Sequence, residues 1–221
     1  MTTDLVSNMS AACWYCDVSI LSDPSLFSRG MAILPWETRR ERVLRYHFEK
    51  DRSLCLGSGL LAAYALRQLG AVDLNIHYLE NGKPVLSAHP DIHFSLSHSG
   101  KLAVCAVSEQ TVGADVEAWQ QMEDQIAELC FTAVELEWLK AQQRADQAFM
   151  RLWTRKESYL KMLGTGLSQS LNTFSVLPDT YGKTRASFAE WDVKDYSICV
   201  CSPFPDSIPL LKADVADLLG F

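Results

Sequence analysis

Val112-Gly113-Ala114-Asp115-Val116-Glu117 and, further along, Trp153-Thr154-Arg155-Lys156-Glu157-Ser158-Tyr159-Leu160-Lys161 are the two stretches on which the reading of this sequence turns. In the first, the two-residue period of a strand sets Val112, Ala114 and Val116 on one face and Asp115 and Glu117 on the other. Adjacent carboxylates repel unless a cation lies between them, and hard oxygen donors of this kind suit Mg²⁺. A solvent-facing strand edge would show the same alternation. In the second stretch, helical spacing stacks Trp153, Glu157 and Lys161 on one face. Such a pair is more often a surface ion pair worth only about 0.3–0.5 kcal/mol. Brought to the Asp115 strand, however, Glu157 becomes a third carboxylate and Lys161 a cation able to neutralise a departing phosphate.

Outward from these stretches the pattern is a mixture of helices and strands. Residues 94–97 alternate as a half-buried strand ending in His98-Ser99-Gly100, where the Ser97 hydroxyl and His98 imidazolium can meet phosphate oxygens; His98 alone would equally suit an incidental surface position. Strands are also expected over 102–108, 112–117, 174–177 and 196–201, with a turn at Asn81-Gly82-Lys83-Pro84. Helices are expected over 37–50, 54–69 and 149–163, and Thr132 with Glu135 makes a capping box that opens another. Residues 102–108 (LAVCAVS) and 196–202 (YSICVCS) echo one another in pattern and size, as two similar halves would.

The chain has 221 residues, 48% hydrophobic and 21% charged, enough to bury a substantial core. The opening residues lack a basic n-region, and no apolar run approaches the roughly 20 residues that span a bilayer, so a soluble cytoplasmic protein with no membrane partner is expected. Seven cysteines, an odd number amid apolar neighbours, argue against a secreted disulfide scaffold. Cys13 and Cys16 form a CxxC, read as packing rather than as a redox or zinc site. The net charge is −7, concentrated in residues 111–221, with 10 basic and 16 acidic side chains, against 10 and 11 in residues 1–110. Residues 39–52 reverse the balance, with Arg39, Arg40, Arg42, Arg45, Lys50 and Arg52 against Glu41, Glu49 and Asp51. A patch of that size fits a small polyphosphate better than nucleic acid, although a solvated helix face laced with charge pairs gives the same composition.

Taken together and in order, these segments resemble the 4′-phosphopantetheinyl transferase superfamily. The pattern there is a Gly-x-Asp-x-Glu strand followed by a Trp-x-x-Lys-Glu-[Ala/Ser]-x-x-Lys helix. Gly82-Lys83-Pro84 and residues 94–100 look like the large, pseudo-dimeric class that activates surfactin synthetase. The resemblance implies an α/β (α+β) fold of two similar halves related by pseudo-twofold symmetry, 1–110 and 111–221, with coenzyme A held between them. Carried over by position, Asp115, Glu117 and Glu157 would hold Mg²⁺, with Mn²⁺ as the candidate substitute. Arg39, Arg42, Arg52, Lys83, Ser97 and His98 would contact coenzyme A phosphates. Glu157 and Lys161 would be the catalytic pair. An apo acyl or peptidyl carrier protein would dock near Cys130-Phe131-Thr132 and the helix after it, through a largely hydrophobic contact, and one chain would suffice as a monomer. Ala114 departs from the larger aliphatic residue usual there. A metal-dependent nuclease could use the same carboxylates but should be broadly basic. A non-catalytic coenzyme A or carrier-binding module would not need three of them.

Overall fold

A computed structural model of the chain describes residues 10–121, 124–166, 169–177, 186–203 and 208–221. The first half runs β1 (Ala11–Asp17), α1 (Pro24–Ile33), α2 (Glu37–Arg45), α3 (Glu49–Gln68), a small hairpin of β2 (Ile76–Tyr78) and β3 (Pro84–Leu86), then β4 (His93–Ser99) and β5 (Leu102–Ser108). The second runs β6 (Gly113–Ala118), α4 (Asp124–Cys130), α5 (Ala133–Lys140), α6 (Ala145–Leu163), β7 (Ser187–Val193) and β8 (Tyr196–Ser202). The chain then returns with β9 (Leu210–Lys212) and α7 (Val215–Leu219). Local chemistry sets several of these boundaries. Asp23 caps α1 by accepting from the Ser25 and Leu26 amides, with Pro24 opening the helix. Thr132 and Glu135 form the expected capping box of α5, and Gly164, in the left-handed region, ends α6.

The two halves repeat one connectivity. The first sheet is ordered β4-β5-β1-β9 and the second β7-β8-β6, so that an opening strand, a run of helices and a closing hairpin recur as two antiparallel trios, β4-β5-β1 and β7-β8-β6. The sequence echo falls on β5 and β8, the middle strand of each repeated trio, where a strand is covered on both faces and small apolar residues are required. β9 pairs parallel to β1, and α7 packs into the core beneath α3, so the last described residues build onto the first half.

Three cores follow from strand alternation. One face of β1 and β5, with Trp14, Cys16, Cys105 and Val107, packs under α3. The opposite face, with Cys13, Val104 and Ala106, meets Val112, Ala114 and Val116 of β6 and Ile198 and Val200 of β8, joining the sheets face to face. A third core lies between α6 and α4–α5, around Phe131, Phe149 and Leu152. Cys13 and Cys16 therefore lie in different cores on opposite faces of one strand, and their CxxC spacing is packing.

Local expectations were corrected in three places. The helix expected over 37–50 stops at Arg45, where Tyr46 and Phe48 turn extended, and α3 starts afresh at Glu49. α6 begins at Ala145, a turn before the expected start at 149. Residues 174–177 form no strand; they follow a 3-10 turn over Leu171–Thr173 and are pinned by side chains.

That pinning is a buried ion pair. Lys156 Nζ lies 2.8 Å from Glu135 Oε2, with both side chains fully buried. Lys156 also donates to the carbonyls of Leu171 (2.8 Å) and Phe174 (2.6 Å), and its Nζ sits 4.5 Å from the centre of the Phe174 ring. Glu135 accepts from the Thr132 amide and hydroxyl and, through Oε1, from the Val176 amide at 2.8 Å. Every donor and acceptor is used, which is the condition under which such a pair is tolerated. Removing one partner strands the other. Lys156→Met should cost about 3–5 kcal/mol in urea unfolding, whereas adding Glu135→Gln, which removes the orphaned charge but keeps an acceptor, should restore part of it. A double variant no more stable than Lys156→Met would contradict this.

Candidate active site

The site begins with an absent side chain. A Cβ on Gly113 would collide with the Ser158 carbonyl oxygen, the Met162 amide nitrogen and the Lys161 carbonyl carbon, all backbone atoms of α6. Only glycine lets that helix lie directly on β6, and the contact sets Glu157 and Lys161 over the strand face that carries Asp115 and Glu117.

Strand β4 lies along the other side of β6 and meets it through hydroxyls. Ser95, Ser97 and Ser99 share one face of β4 by alternation. Ser95 Oγ accepts from the Ala114 amide at 2.9 Å and Ser99 Oγ from the Ala118 amide at 3.2 Å, satisfying backbone donors that β6 has no strand to receive. Ser97 Oγ donates to Asp115 Oδ1 at 2.7 Å, and Ser99 Oγ to Glu117 Oε2 at 2.8 Å. Lys161 Nζ completes the cluster, 2.6 Å from Asp115 Oδ1 and 2.9 Å from Ser97 Oγ.

The electrostatics are crowded. Asp115 is 2% exposed, and its Oδ2 is buried without a hydrogen-bond partner. Burial, and then the charge of Asp115, push the Glu117 carboxyl up to about 7 against opposition from Ser99 and Lys161. Glu157 is raised by the same two causes, burial first, with Lys161 opposing. Among the described residues no three His, Cys, Asp or Glu side chains stand as a ready-made ion cage. The donor chemistry nonetheless suits a hard divalent cation: three mutually repelling carboxylates, one with an oxygen that no protein group satisfies.

Beside the cluster a cavity of about 310 Å³ is walled by Trp36, Arg39, Arg42, Tyr78, His98 and Lys161, among others. It brings together residues far apart in sequence, from the basic patch, the β4 end and α6. Arg39 enters across the notch left by Gly59 and donates to the Cys55 carbonyl (3.2 Å) and Ser58 Oγ (2.6 Å). Arg52 does not line the cavity; its Nε is spent on the Tyr46 carbonyl at 2.7 Å. His98 lines the cavity, where burial first, then Arg39, Lys161 and Arg42, push its pKa down and so disfavour the expected imidazolium in the free protein. Ser97 lines the cavity and turns its hydroxyl to the carboxylate. Lys83 donates only to backbone carbonyls.

Two family profiles match consecutive parts of the chain: "4′-phosphopantetheinyl transferase, N-terminal" over residues 23–110 and "4′-phosphopantetheinyl transferase superfamily" over residues 111–201. The 4′-phosphopantetheinyl transferase Sfp of Bacillus subtilis (strain 168) is 34% identical over 193 residues, covering 80% of this chain and 86% of that protein. The chain belongs to the 4′-phosphopantetheinyl transferase superfamily. The phosphopantetheinyl transferase gsp of Aneurinibacillus migulanus is 39% identical over 142 residues, covering 62% of this chain and 59% of its own. A solved holo-[acyl-carrier-protein] synthase of Thermotoga maritima, 19% identical with a TM-score of 0.36 over 41% of this chain and 61% of its own, is too partial a likeness to add to this.

Sequence reasoning missed two features of this phosphopantetheinyl transferase. Lys156 and Glu135, the first inside the motif helix, are a structural pair rather than part of the cluster; the capping-box glutamate was the available signal, but its distant partner was not legible. At the 130–132 segment, Phe131 is core, stacked edge-on to Phe149 at 5.1 Å, while the exposed apolar side chains are Ile126, Leu129 and Val134 on α4 and α5.

Two outcomes test this geometry. Gly113→Ala must displace α6 or β6, an overpacking cost of about 1–3 kcal/mol or more, with loss of the transferase activity; wild-type activity in the folded variant would contradict the contact. Glu117 binds its proton more tightly folded than unfolded, so the stability this supplies is full below pH 4.5 and lost as pH rises through about 7. Glu117→Gln should therefore gain stability over the wild type between about pH 5 and pH 8 in metal-free buffer, measured by urea midpoint; a gain independent of pH would refute the assignment.

Proposed function

We infer that this chain transfers the 4′-phosphopantetheine moiety of coenzyme A to a serine hydroxyl of an apo acyl or peptidyl carrier protein, releasing adenosine 3′,5′-bisphosphate. The observation that carries the reading is the meeting of Asp115, Glu117, Glu157 and Lys161 beside a cavity walled by Arg39, Arg42 and His98. Four positive or proton-accepting groups from distant segments suit the phosphates of one nucleotide cofactor. Phosphate oxygens reaching His98 would reverse the sign of its surroundings and draw a proton onto the ring. Its lowered pKa thus describes the site before binding.

Asp115, Glu117 and Glu157 are the residues that would hold Mg²⁺, and Asp115 Oδ2 is the oxygen left free for it. The ion would supply Lewis-acid neutralisation of the pyrophosphate. Glu157, its pKa raised by burial and by Asp115, is suited to take the proton of the attacking serine, directly or through a water. Lys161, on the same helix face, stabilises the phosphate of the leaving nucleotide and can return a proton to it. Ser97 orients Asp115 and Lys161 at once.

The proposal takes 1–110 and 111–221 as the two halves, with β9 and α7 returning to the first. Because the cluster and cavity are complete within one chain, a monomer suffices, acting in the cytoplasm. The carrier is placed on the α4–α5 surface, where Leu129 is 71% and Val134 54% exposed close to the site. With the enzyme at −7, attraction to an acidic carrier cannot be global, and apolar contact must supply most of the affinity. Relatives named as transferases lend no support to a nuclease or a non-catalytic binding module.

Incubation with coenzyme A, Mg²⁺ and an apo carrier domain should raise the carrier's mass by one phosphopantetheine. Glu157→Ala should abolish the gain, and Lys161→Ala should lower kcat by more than it weakens coenzyme A binding. An unmodified carrier with the wild type, across a panel of acyl and peptidyl carriers, would refute the reading.

A further inference from the structure

Lys83 sits in the turn between β2 and β3, in the first half, yet all its side-chain bonds cross to the second. Its Nζ lies 3.1 Å from the Lys161 carbonyl oxygen, 3.1 Å from that of Met162 and 3.4 Å from that of Val112. An ammonium has three N–H donors, so these carbonyls use all of them. Lys161 and Met162 belong to the last turn of α6, whose carbonyls have no helical partner and carry the negative end of the helix dipole. Val112 is the residue before β6. The turn is itself fixed: Asn81 Oδ1 accepts from the Lys83 amide at 3.0 Å, and Leu79 and Lys83 are bonded at 3.0 Å across it.

We propose that Lys83 is a positioning residue, a cation from the first half that ties the start of the Asp115 strand to the last turn of the helix carrying Glu157 and Lys161. It is not a ligand of coenzyme A phosphate. The point it binds adjoins the bare Gly113 contact, where β6 and α6 touch backbone to backbone with no side chain between them to hold the pair. Releasing Nζ would leave two helix-end carbonyls and the Val112 carbonyl without their donor and free the last turn of α6, so that Lys161 would lose its fixed approach to Asp115. A phosphate ligand would act differently, being needed to bind coenzyme A and not to align the catalytic pair.

The kinetic part of this inference rests on the transferase reading, so the test has an arm that does not. In ligand-free protein, Lys83→Met should speed amide hydrogen exchange at Leu163 and Gly164 by about tenfold or more while the core of α3 keeps its protection. With coenzyme A and an apo carrier, kcat should fall about tenfold or more and KM for coenzyme A change less than about twofold. Lys83→Gln, which keeps two N–H donors on a shorter arm, should fall between the two proteins in both measurements, and it is read in the same way should the methionine variant not fold. A raised KM for coenzyme A with kcat and exchange unchanged would overturn the proposal in favour of a phosphate contact, and exchange unchanged at α6 would overturn it alone. Failure of the wild type to modify any carrier would sink the transferase reading instead, with the exchange result still standing for or against the tie.

Discussion

The backbone contact of α6 with β6 at Gly113 is the constraint from which the site follows. Helices normally rest on sheets through side chains; here the carbonyl of Ser158 and the amide of Met162 occupy the space a Cβ would need. That closeness lets Lys161 reach Asp115 at 2.6 Å and brings Glu157 close enough to feel the same carboxylate. Each flanking device serves the contact. Serines of β4 secure one edge of β6, the Lys83 ammonium caps the end of α6, and the face-to-face core of Val112, Ala114 and Val116 holds the strand from below.

The resulting cluster is electrostatically costly. A 2%-exposed aspartate with an unpartnered oxygen, beside two glutamates whose carboxyls are pushed up, would not persist for the sake of stability alone. What offsets it lies elsewhere, in three apolar cores, while the saturated pair of Glu135 on α5 and Lys156 on α6 holds the neighbouring segment in place. Consecutive residues of α6 thus have opposite tasks. Lys156 points inward and fixes the 171–177 segment; Glu157 feels the charges of Asp115 and Lys161 in the cluster.

Much of this was legible in the sequence because it rests on short periodicities. Alternation put Asp115 and Glu117 on one face and Val112, Ala114 and Val116 on the other, and a four-residue step stacked Glu157 on Lys161. The echo between 102–108 and 196–202 marked the middle strands of the two sheets. Partnerships across long separations were not legible. No local pattern says that Lys83 bonds the end of a helix 78 residues away, or that Lys156 closes on Glu135. The strands β1 and β7 escaped notice: β1 reads as cysteine spacing until β5 pairs with it, and β7, although Ala189, Trp191 and Val193 alternate with Glu190 and Asp192, is a half-buried edge strand with a pattern only five residues long. Charge read as composition also misled at His98, whose pKa is pushed down first by burial and then by three cations that only folding brings near.

The central claim is that Asp115, Glu117 and Glu157 form one divalent-ion site held by the β6–α6 contact. Anomalous diffraction from crystals grown with Mn²⁺ and coenzyme A tests it directly. The account predicts a single strong peak ligated by oxygens of all three side chains. A peak that leaves Glu157 in solvent, or no peak between β6 and α6 at saturating Mn²⁺, would contradict it.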